Sequence, residues 1–211
     1  EVLGTSIPLA VVSGPTFASE VGNGLPTAMT IAATDDVFAD DLSRAFTSKT
    51  FKAYTSNDII GVEVGGAIKN ILAIATGLSD GMGYGANTRV LLITRGLREL
   101  SRLGIALGAK ESTFMGLSGM GDLVLTCTDN QSRNRRMGLA LAKGRSMEDI
   151  SEEIGQVVEG VKAAKAVHGD AHAMGVKMPI CEAVYKLIYE GMSTDDAAES
   201  LMSRPSGDEF N

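Results

Sequence analysis

The stretch that most constrains the fold is residues 59–78. Glu63 and Lys69 are its only charged residues, and apolar side chains run almost all the way round a helix drawn through it. This pattern predicts a long, largely buried helix. Its four glycines and two charges argue against a membrane span. The rest of the chain must therefore supply the surfaces that bury this helix.

Lys69 is the residue in this helix that needs an explanation. An ammonium is costly to bury unless it is paired, or unless it gives up its proton and serves as a base. The alternative is a lysine whose stem follows the apolar surface while its tip reaches water. The residues alone leave both interpretations open.

The composition restricts the classes of partner. The 211 residues carry a net charge of −7, which disfavours nucleic acid or an anionic membrane surface as a partner. The two cysteines, Cys127 and Cys181, form no ligand or disulfide pattern, so we expect a reducing cytoplasm. The first residue is Glu1, with no signal peptide after it, and we interpret the chain as a piece of a longer protein.

The order of elements predicts two parts. Residues 8–13, 26–33 and 51–55 have the pattern of buried strands, and residues 35–47 that of a helix between the last two. This α/β layer is too short for a complete doubly wound sheet. From Ser56 onward we predict only helices, beginning with the long helix and continuing at 87–107, 111–115, 133–142, 147–154, 159–174, 181–190 and 194–202. The predicted parts are residues 1–55 and 56–211.

A basic run, Ser132-Arg133-Asn134-Arg135-Arg136, opens one of the predicted helices. Cations in a first helical turn oppose the macrodipole unless an anion lies among them. Free N–H groups, a hydroxyl, an amide and a guanidinium together suit a phosphate. The alternative is a solvated basic turn that bridges acidic neighbours.

A glycine-rich segment lies before the basic run. Gly116, Gly119 and Gly121 allow the backbone to bend sharply and approach other segments closely, and Asp122 follows them. Asp122 would then face a pocket as a partner for Lys69. A structural loop with a helix-capping aspartate is equally compatible with the pattern.

Two histidines, His168 and His172, lie one helical turn apart. Such a pair can bind a metal, but neither an HExxH pattern nor a further ligand cluster accompanies it. We therefore favour ordinary exposed histidines and predict no metal site.

Several motifs resemble those of one enzyme family. In chain order they are Ser13-Gly-Pro-Thr-Phe-Ala-Ser-Glu20, Gly65-Gly-Ala-Ile-Lys-Asn70, Gly119-Met-Gly-Asp-Leu-Val-Leu-Thr-Cys-Thr128, Asn130-Gln-Ser-Arg-Asn-Arg-Arg136 and Val157-Val-Glu-Gly160. Together they resemble bacterial NAD(P)-dependent sn-glycerol-3-phosphate dehydrogenase. The likeness covers essentially the whole chain but only the C-terminal two-thirds of the family. The family's N-terminal G-x-G-x-x-G/A unit has no counterpart here.

The resemblance implies a mainly α fold: an all-helical C-terminal domain, like that of 6-phosphogluconate dehydrogenase, after the last α/β part of a Rossmann domain. It implies a cytoplasmic oxidoreductase that interconverts sn-glycerol 3-phosphate and dihydroxyacetone phosphate with NAD(P)H, supplying glycerol 3-phosphate for phospholipid synthesis. Because the nucleotide fingerprint is missing, these 211 residues alone should lack appreciable activity.

The resemblance also implies roles for single residues. Lys69 would accept the proton of the substrate's C2 hydroxyl. The residues implied to bind substrate are Gly14, Thr16, Lys69, Asp122, Ser132, Arg133 and Asn134, with Asn70 and Thr126 as further neighbours. The residues implied to contact the nucleotide are Ala18, Arg133, Val157 and Glu159.

Two other functions stay open. The first is another dehydrogenase with a Rossmann and a helical domain that acts on a different hydroxy acid. The second is a non-catalytic helical dimerisation module, which would predict that Lys69→Ala changes no activity. A homodimer is a hypothesis under each function, because an apolar helical part separated from its partner suggests a surface that another copy covers.

Overall fold

The computed structural model describes residue 4 and residues 7–202, without the side chain of Met202. The outer bounds of the two predicted parts, residues 1 and 211, lie outside the described residues. Within them, a small sheet comes first and helices follow. The strands are β1 (Ala10–Ser13), β2 (Thr27–Ala33) and β3 (Phe51–Ser56). The helices are α1 (Ala18–Gly22), α2 (Asp36–Phe46), α3 (Ile59–Gly81), α4 (Ala86–Ala106), α5 (Glu111–Phe114), α6 (Asp122–Thr128), α7 (Arg133–Leu141), α8 (Met147–Ile154), α9 (Glu159–Met174), α10 (Pro179–Tyr189) and α11 (Thr194–Met202).

The sheet has the order β1-β2-β3. β2 and β3 are parallel and are joined through α2, which is the crossover that the strand–helix–strand pattern predicts. β1 runs antiparallel to β2, with Ser13 opposite Thr30. β1 also contacts the long helix α3 (Ile59–Gly81).

The long helix α3 lies at the centre of the helical part. It packs against α4, α6, α7, α9 and α10, and most of its residues from Ile68 onward are buried. By length and composition α3 could cross a membrane, but 61% of its most apolar window is buried inside the protein. That burial is typical of the core helix of a globular protein.

Glycines let α7 approach α3 closely. A Cβ at Gly138 would lie 2.6 Å from the main-chain nitrogen of Leu78 and 3.0 Å from the carbonyl carbon of Gly77. Because no side chain separates the two backbones, α7 is fixed against the middle of α3. This contact places the start of α7 beside the residues that follow Lys69.

The N-terminus of α3 is anchored by Asp58, which is 6% exposed. Its carboxylate accepts from Gly61 N at 3.0 Å as the N-cap. It also accepts from Lys110 N at 2.8 Å and from Thr113 Oγ1 at 2.6 Å. One side chain therefore caps α3 and ties it to the segment that begins α5.

The segment after α5 differs from the prediction. The glycine-rich residues form a π-helical turn, Leu117–Gly121, that continues directly into α6. Thr126 therefore belongs to a helix that the sequence analysis does not predict. At Gly119 a Cβ would collide with the main chain of Phe114. The close approach requires glycine there.

Candidate active site

Lys69 of α3 and Asp122, the first residue of α6, form an ion pair. Lys69 Nζ donates to Asp122 Oδ2. The side chain of Lys69 is 19% exposed and that of Asp122 is 3% exposed. The lysine is therefore paired, and it keeps access to one open side.

Asp122 is oriented by several donors. Ser13 Oγ donates to Oδ2 at 3.0 Å, and Gly14 N donates to the same atom at 3.1 Å. On the other side, Thr126 Oγ1 donates to the main-chain oxygen of Asp122 at 2.6 Å and lies 3.2 Å from Oδ1. A buried carboxylate with this many partners holds one orientation. Lys69 Nζ is thereby held in place as well.

The end of β1 reaches Asp122 because Gly14 has no side chain. A Cβ at Gly14 would lie 2.9 Å from the Cα of Met29 in β2, closer than Cβ atoms approach in folded proteins. The strand can therefore turn tightly against its neighbour and aim its next N–H at the carboxylate. The Gly-Pro-Thr sequence after the strand is the local reason for this geometry.

A cleft of about 330 Å³ opens next to the ion pair. It lies between β1 and the face of α3 that carries Lys69. Its lining residues are Val11, Val12, Ser13, Gly14, Thr16, Val62, Glu63, Gly66, Lys69, Asp122 and Glu159. Lys69 is the one cation in this lining, against the carboxylates of Glu63, Asp122 and Glu159. An anionic ligand therefore needs a further cation at the rim.

A second network joins α3 to the starts of α7 and α9. Asn70 Nδ2 donates to Glu159 Oε2 at 3.2 Å, and Asn134 Nδ2 donates to Asn70 Oδ1 at 2.9 Å. Asn134 Oδ1 in turn accepts from Gly160 N at 2.9 Å. Asn134 is 7% exposed, and its amide makes contacts within the protein with both of its polar atoms. These contacts fix Glu159 at the edge of the cleft.

The basic run at the start of α7 separates into different roles. Ser132 Oγ caps the helix by accepting from Arg135 N at 3.2 Å. Arg135 is buried, and its guanidinium pairs with Asp80 Oδ2 at 2.6 Å. The carboxylate of Asp80 thus neutralises one of the three arginines in the basic run. This arrangement matches the acidic-neighbour interpretation for Arg135.

Arg133 lies closer to the cleft. Its side chain is 38% exposed, donates to Gln156 Oε1 at 2.9 Å, and has its nearest approach to Glu159 Oε1 at 3.9 Å. Because Glu159 lines the cleft, Arg133 is the cation at the rim. Its partners are on the surface, so it can change them at little cost.

The thiol nearest to the ion pair is chemically inert. Cys127 is fully buried, and burial raises the pKa of its thiol to about 12. A thiol in this state is not a nucleophile at neutral pH. Cys127 therefore supplies no reactive group to the cleft.

The predicted site residues fall into three groups. Five of them line the cleft: Gly14, Thr16, Lys69, Asp122 and Glu159. Three are not part of the lining and lie at the start of α7: Ser132, Arg133 and Asn134. The other two, Ala18 at the start of α1 and Val157 before α9, lie outside this lining. The roles of all ten stay predictions.

Matches to protein-family models identify the family of the chain. A model described as NAD-dependent glycerol-3-phosphate dehydrogenase C-terminus matches residues 58–199, and one described as the N-terminus of the same enzyme matches residues 1–39. The chain belongs to the NAD-dependent glycerol-3-phosphate dehydrogenase family. The predicted family and the predicted fold class are confirmed.

Individual glycerol-3-phosphate dehydrogenases match over almost the whole chain. A protein of Aeromonas hydrophila named NAD(P)+ glycerol-3-phosphate dehydrogenase is 58% identical over 210 residues, which are 99% of this chain and 63% of that protein. One of Escherichia coli O9:H4 with the same name is 56% identical and covers 99% of this chain and 62% of its own length. The chain therefore spans somewhat less than two-thirds of these relatives.

The crystal structure of glycerol-3-phosphate dehydrogenase from Coxiella burnetii has the same fold. It is 46% identical, with a TM-score of 0.92 over 94% of this chain and 61% of that one. The structure of the Saccharomyces cerevisiae enzyme is 25% identical, covers 90% of this chain and 58% of that one, and has a TM-score of 0.79. The helical architecture around α3 is thus shared by distant dehydrogenases of this family.

The sequence analysis did not assign a role to two residues of this candidate site. Ser13 holds Asp122, and Glu63 lines the cleft from the first turns of α3. Ser13 stands at the end of a strand, directly before Gly14, which is a recurrent place for functional side chains in α/β proteins. Nothing in the local sequence distinguishes Glu63 from a solvated carboxylate.

Proposed function

We propose that the whole protein containing this chain interconverts sn-glycerol 3-phosphate and dihydroxyacetone phosphate with NAD(P)H as cofactor. The observation that carries the proposal is the Lys69–Asp122 pair, held at the wall of a cleft of about 330 Å³. A general base must lie within hydrogen-bond reach of the proton that it takes. The open side of Lys69 faces the space where a small substrate would lie.

The proton step uses this pair. In alcohol oxidation the neutral amine of Lys69 takes the proton of the C2 hydroxyl, and Asp122 stabilises the ammonium that results. In ketone reduction the ammonium returns the proton to the C2 oxygen. The nicotinamide cofactor, when bound, would supply the hydride to C2 as NAD(P)H in ketone reduction and would accept it from C2 as NAD(P)+ in alcohol oxidation. Such acid–base help typically contributes ~10²–10⁴-fold in rate.

The phosphate of the substrate is assigned to the start of α7. The cleft lining contains more carboxylates than cations, so a phosphate is disfavoured deep inside it. Arg133 at the rim supplies a forked cation, and Ser132 and Asn134 stand next to it. Gly14 and Thr16 form the opposite wall. Binding energy from the phosphate would orient C2 towards Lys69.

Residues at the rim fit a nucleotide. Ala18 begins α1, and the neighbouring Glu20 accepts from Gln131 Nε2 at 3.0 Å, which brings α1 next to the start of α7. Val157 is 57% exposed, and Glu159 is close to Arg133. These contacts support assigning Ala18, Arg133, Val157 and Glu159 to the side of the cleft where a nicotinamide cofactor would bind.

Four further expectations belong to this proposal. The chain divides into a nucleotide-domain part, residues 1–55, and a helical substrate domain, residues 56–211; the end of the sheet at Ser56 supports this division. The protein works in the cytoplasm. It forms a homodimer, and the exposed apolar side chains of Val90 and Leu91 on α4 support such an interface. The chain alone is expected to be inactive.

The decisive experiment compares Lys69→Met with Lys52→Met in the whole protein. Methionine preserves the apolar stem in both variants, and Lys52 is an exposed residue of β3 outside the cleft. We expect kcat for dihydroxyacetone phosphate reduction to fall ~10²–10⁴-fold in Lys69→Met and to stay unchanged in Lys52→Met. Thermal unfolding shows whether both variants are folded. A folded Lys69→Met enzyme with normal kcat would refute the proposed role.

A further inference from the structure

A cluster of metal-ligating side chains lies away from the cleft, between α9 and α10. His168 and His172 stand one turn apart on α9, and Glu182 of α10 faces them. One ligand atom from each of the three residues lies within 4.8 Å of the others. His168 Nδ1 is 2.7 Å from Glu182 Oε2. We propose that these three residues form a binding site for a transition-metal dication such as Zn²⁺.

The donor set fits such an ion. Two imidazoles and a carboxylate, with a position left for water, are a recurrent zinc ligand set with ligand distances of ~2.0–2.2 Å. Tetrahedral ligands at those distances are ~3.3 Å apart. The His168–Glu182 separation must widen slightly, and His172 must move inwards. His172 is exposed, so its side chain can rotate without disturbing the core.

Neighbouring side chains already orient two of the ligands. The ring of Tyr185 stacks on His168 with centroids 3.7 Å apart and an angle of 5°. Lys186 Nζ is 3.3 Å from Glu182 Oε1, which leaves Oε2 directed at the histidines. Contacts of this kind fix ligand geometry around bound metals. The sequence analysis dismissed the histidine pair because a third ligand was missing, and the fold supplies it from α10.

The chain offers no competing imidazole site. His168 and His172 are its only two histidines, and both cysteines are buried. Imidazole ligands favour Zn²⁺, Ni²⁺ and Cu²⁺, whereas oxygen-only sites favour Mg²⁺ and Ca²⁺. Binding that depends on histidine and discriminates zinc from magnesium would therefore come from this cluster.

The test is calorimetric titration of the whole protein with ZnCl₂ and, separately, with MgCl₂. We expect a Zn²⁺ site that depends on His172 and no comparable Mg²⁺ binding. His172→Ala removes an exposed ligand and should weaken zinc binding by more than ~10-fold, since even outer-shell changes typically cost ~10–100-fold. Asp170→Ala, which removes an exposed acid of α9 outside the cluster, should leave zinc binding unchanged.

A second measurement checks that the metal joins the two helices. Saturating Zn²⁺ should raise the unfolding temperature of the wild type but not that of His172→Ala, because an ion that binds only the folded state stabilises it. Zinc binding of equal strength in His172→Ala, equal binding of Mg²⁺, or no zinc binding by the wild type would overturn the proposal. None of these results bears on the dehydrogenase site.

Discussion

The anchor at Asp58 allows a worked prediction for Asp58→Ala. The substitution removes an N-cap, which costs ~1 kcal/mol. It also removes hydrogen bonds from Lys110 N and Thr113 Oγ1 to a charged acceptor, at ~1.5 kcal/mol each. The sum is a loss of ~4 kcal/mol in the free energy of unfolding. For a chain of this size that loss lowers Tm by ~8–16 °C.

The matched control is Asp35→Ala. Asp35 caps α2, is exposed, and accepts one hydrogen bond, from Phe38 N at 2.7 Å. Removing this single cap should cost ~1 kcal/mol, or ~2–4 °C in Tm. Circular dichroism during heating measures both variants in the same buffer. If Asp58→Ala loses no more stability than Asp35→Ala, the contacts of Asp58 to Lys110 and Thr113 contribute nothing and the reasoning fails.

The pH dependence of stability provides an independent check. Burial by itself raises the pKa of Asp58, but hydrogen bonds from Thr113 and from the main chain of Gly61 and Lys110 outweigh it, so the pKa lies below the usual value of 3.8. A carboxyl group with a lowered folded-state pKa stabilises the fold above its unfolded pKa and loses that contribution as pH falls through the folded one. The difference in stability between wild type and Asp58→Ala should therefore be constant near neutral pH and shrink below pH ~4.

Two other predictions follow from packing and burial. Gly138→Ala should destabilise the protein by ~1–3 kcal/mol in urea unfolding, because its Cβ would press on the backbone of α3. Gly169→Ala on α9, where a Cβ meets nothing within 4 Å, should instead stabilise it by ~0.5–1 kcal/mol; the same sign for both would contradict the packing account. Cys127 and Cys181 are both buried, so an alkylating reagent at pH 8 should modify neither until the protein is unfolded. Rapid labelling of Cys127 or Cys181 in the native protein would contradict this account.

Much of the fold follows from local pattern. The predicted bounds of α8, α9 and α11 equal the observed ones. Ser146 and Ser193 stand before acidic first turns and accept from the main-chain nitrogens three residues later. These features are readable because apolar spacing and capping depend on neighbours in the sequence.

Several features that were not predicted depend on distant segments, whereas helix α6 has a local cause. Helix α6 was missed because it follows three glycines and carries Thr126 and Thr128, which are weak helix formers. The pairing of Arg135 with Asp80 joins α7 to the end of α3, and no spacing rule connects two such positions. The bond between Asn134 and Asn70 likewise spans 64 positions. Only the close contact of α3 and α7 brings these pairs together.

Asp122 has hydrogen-bond partners both in the helical part and at the end of the sheet. Its partners Lys69 and Thr126 belong to the helices, whereas Ser13 and Gly14 belong to the end of a strand more than 100 positions earlier. A polypeptide that began at residue 56 would keep the lysine–aspartate contact but lose two of the donors that aim the carboxylate. The geometry of the Lys69–Asp122 pair thus depends on the sheet, even though both residues are on helices.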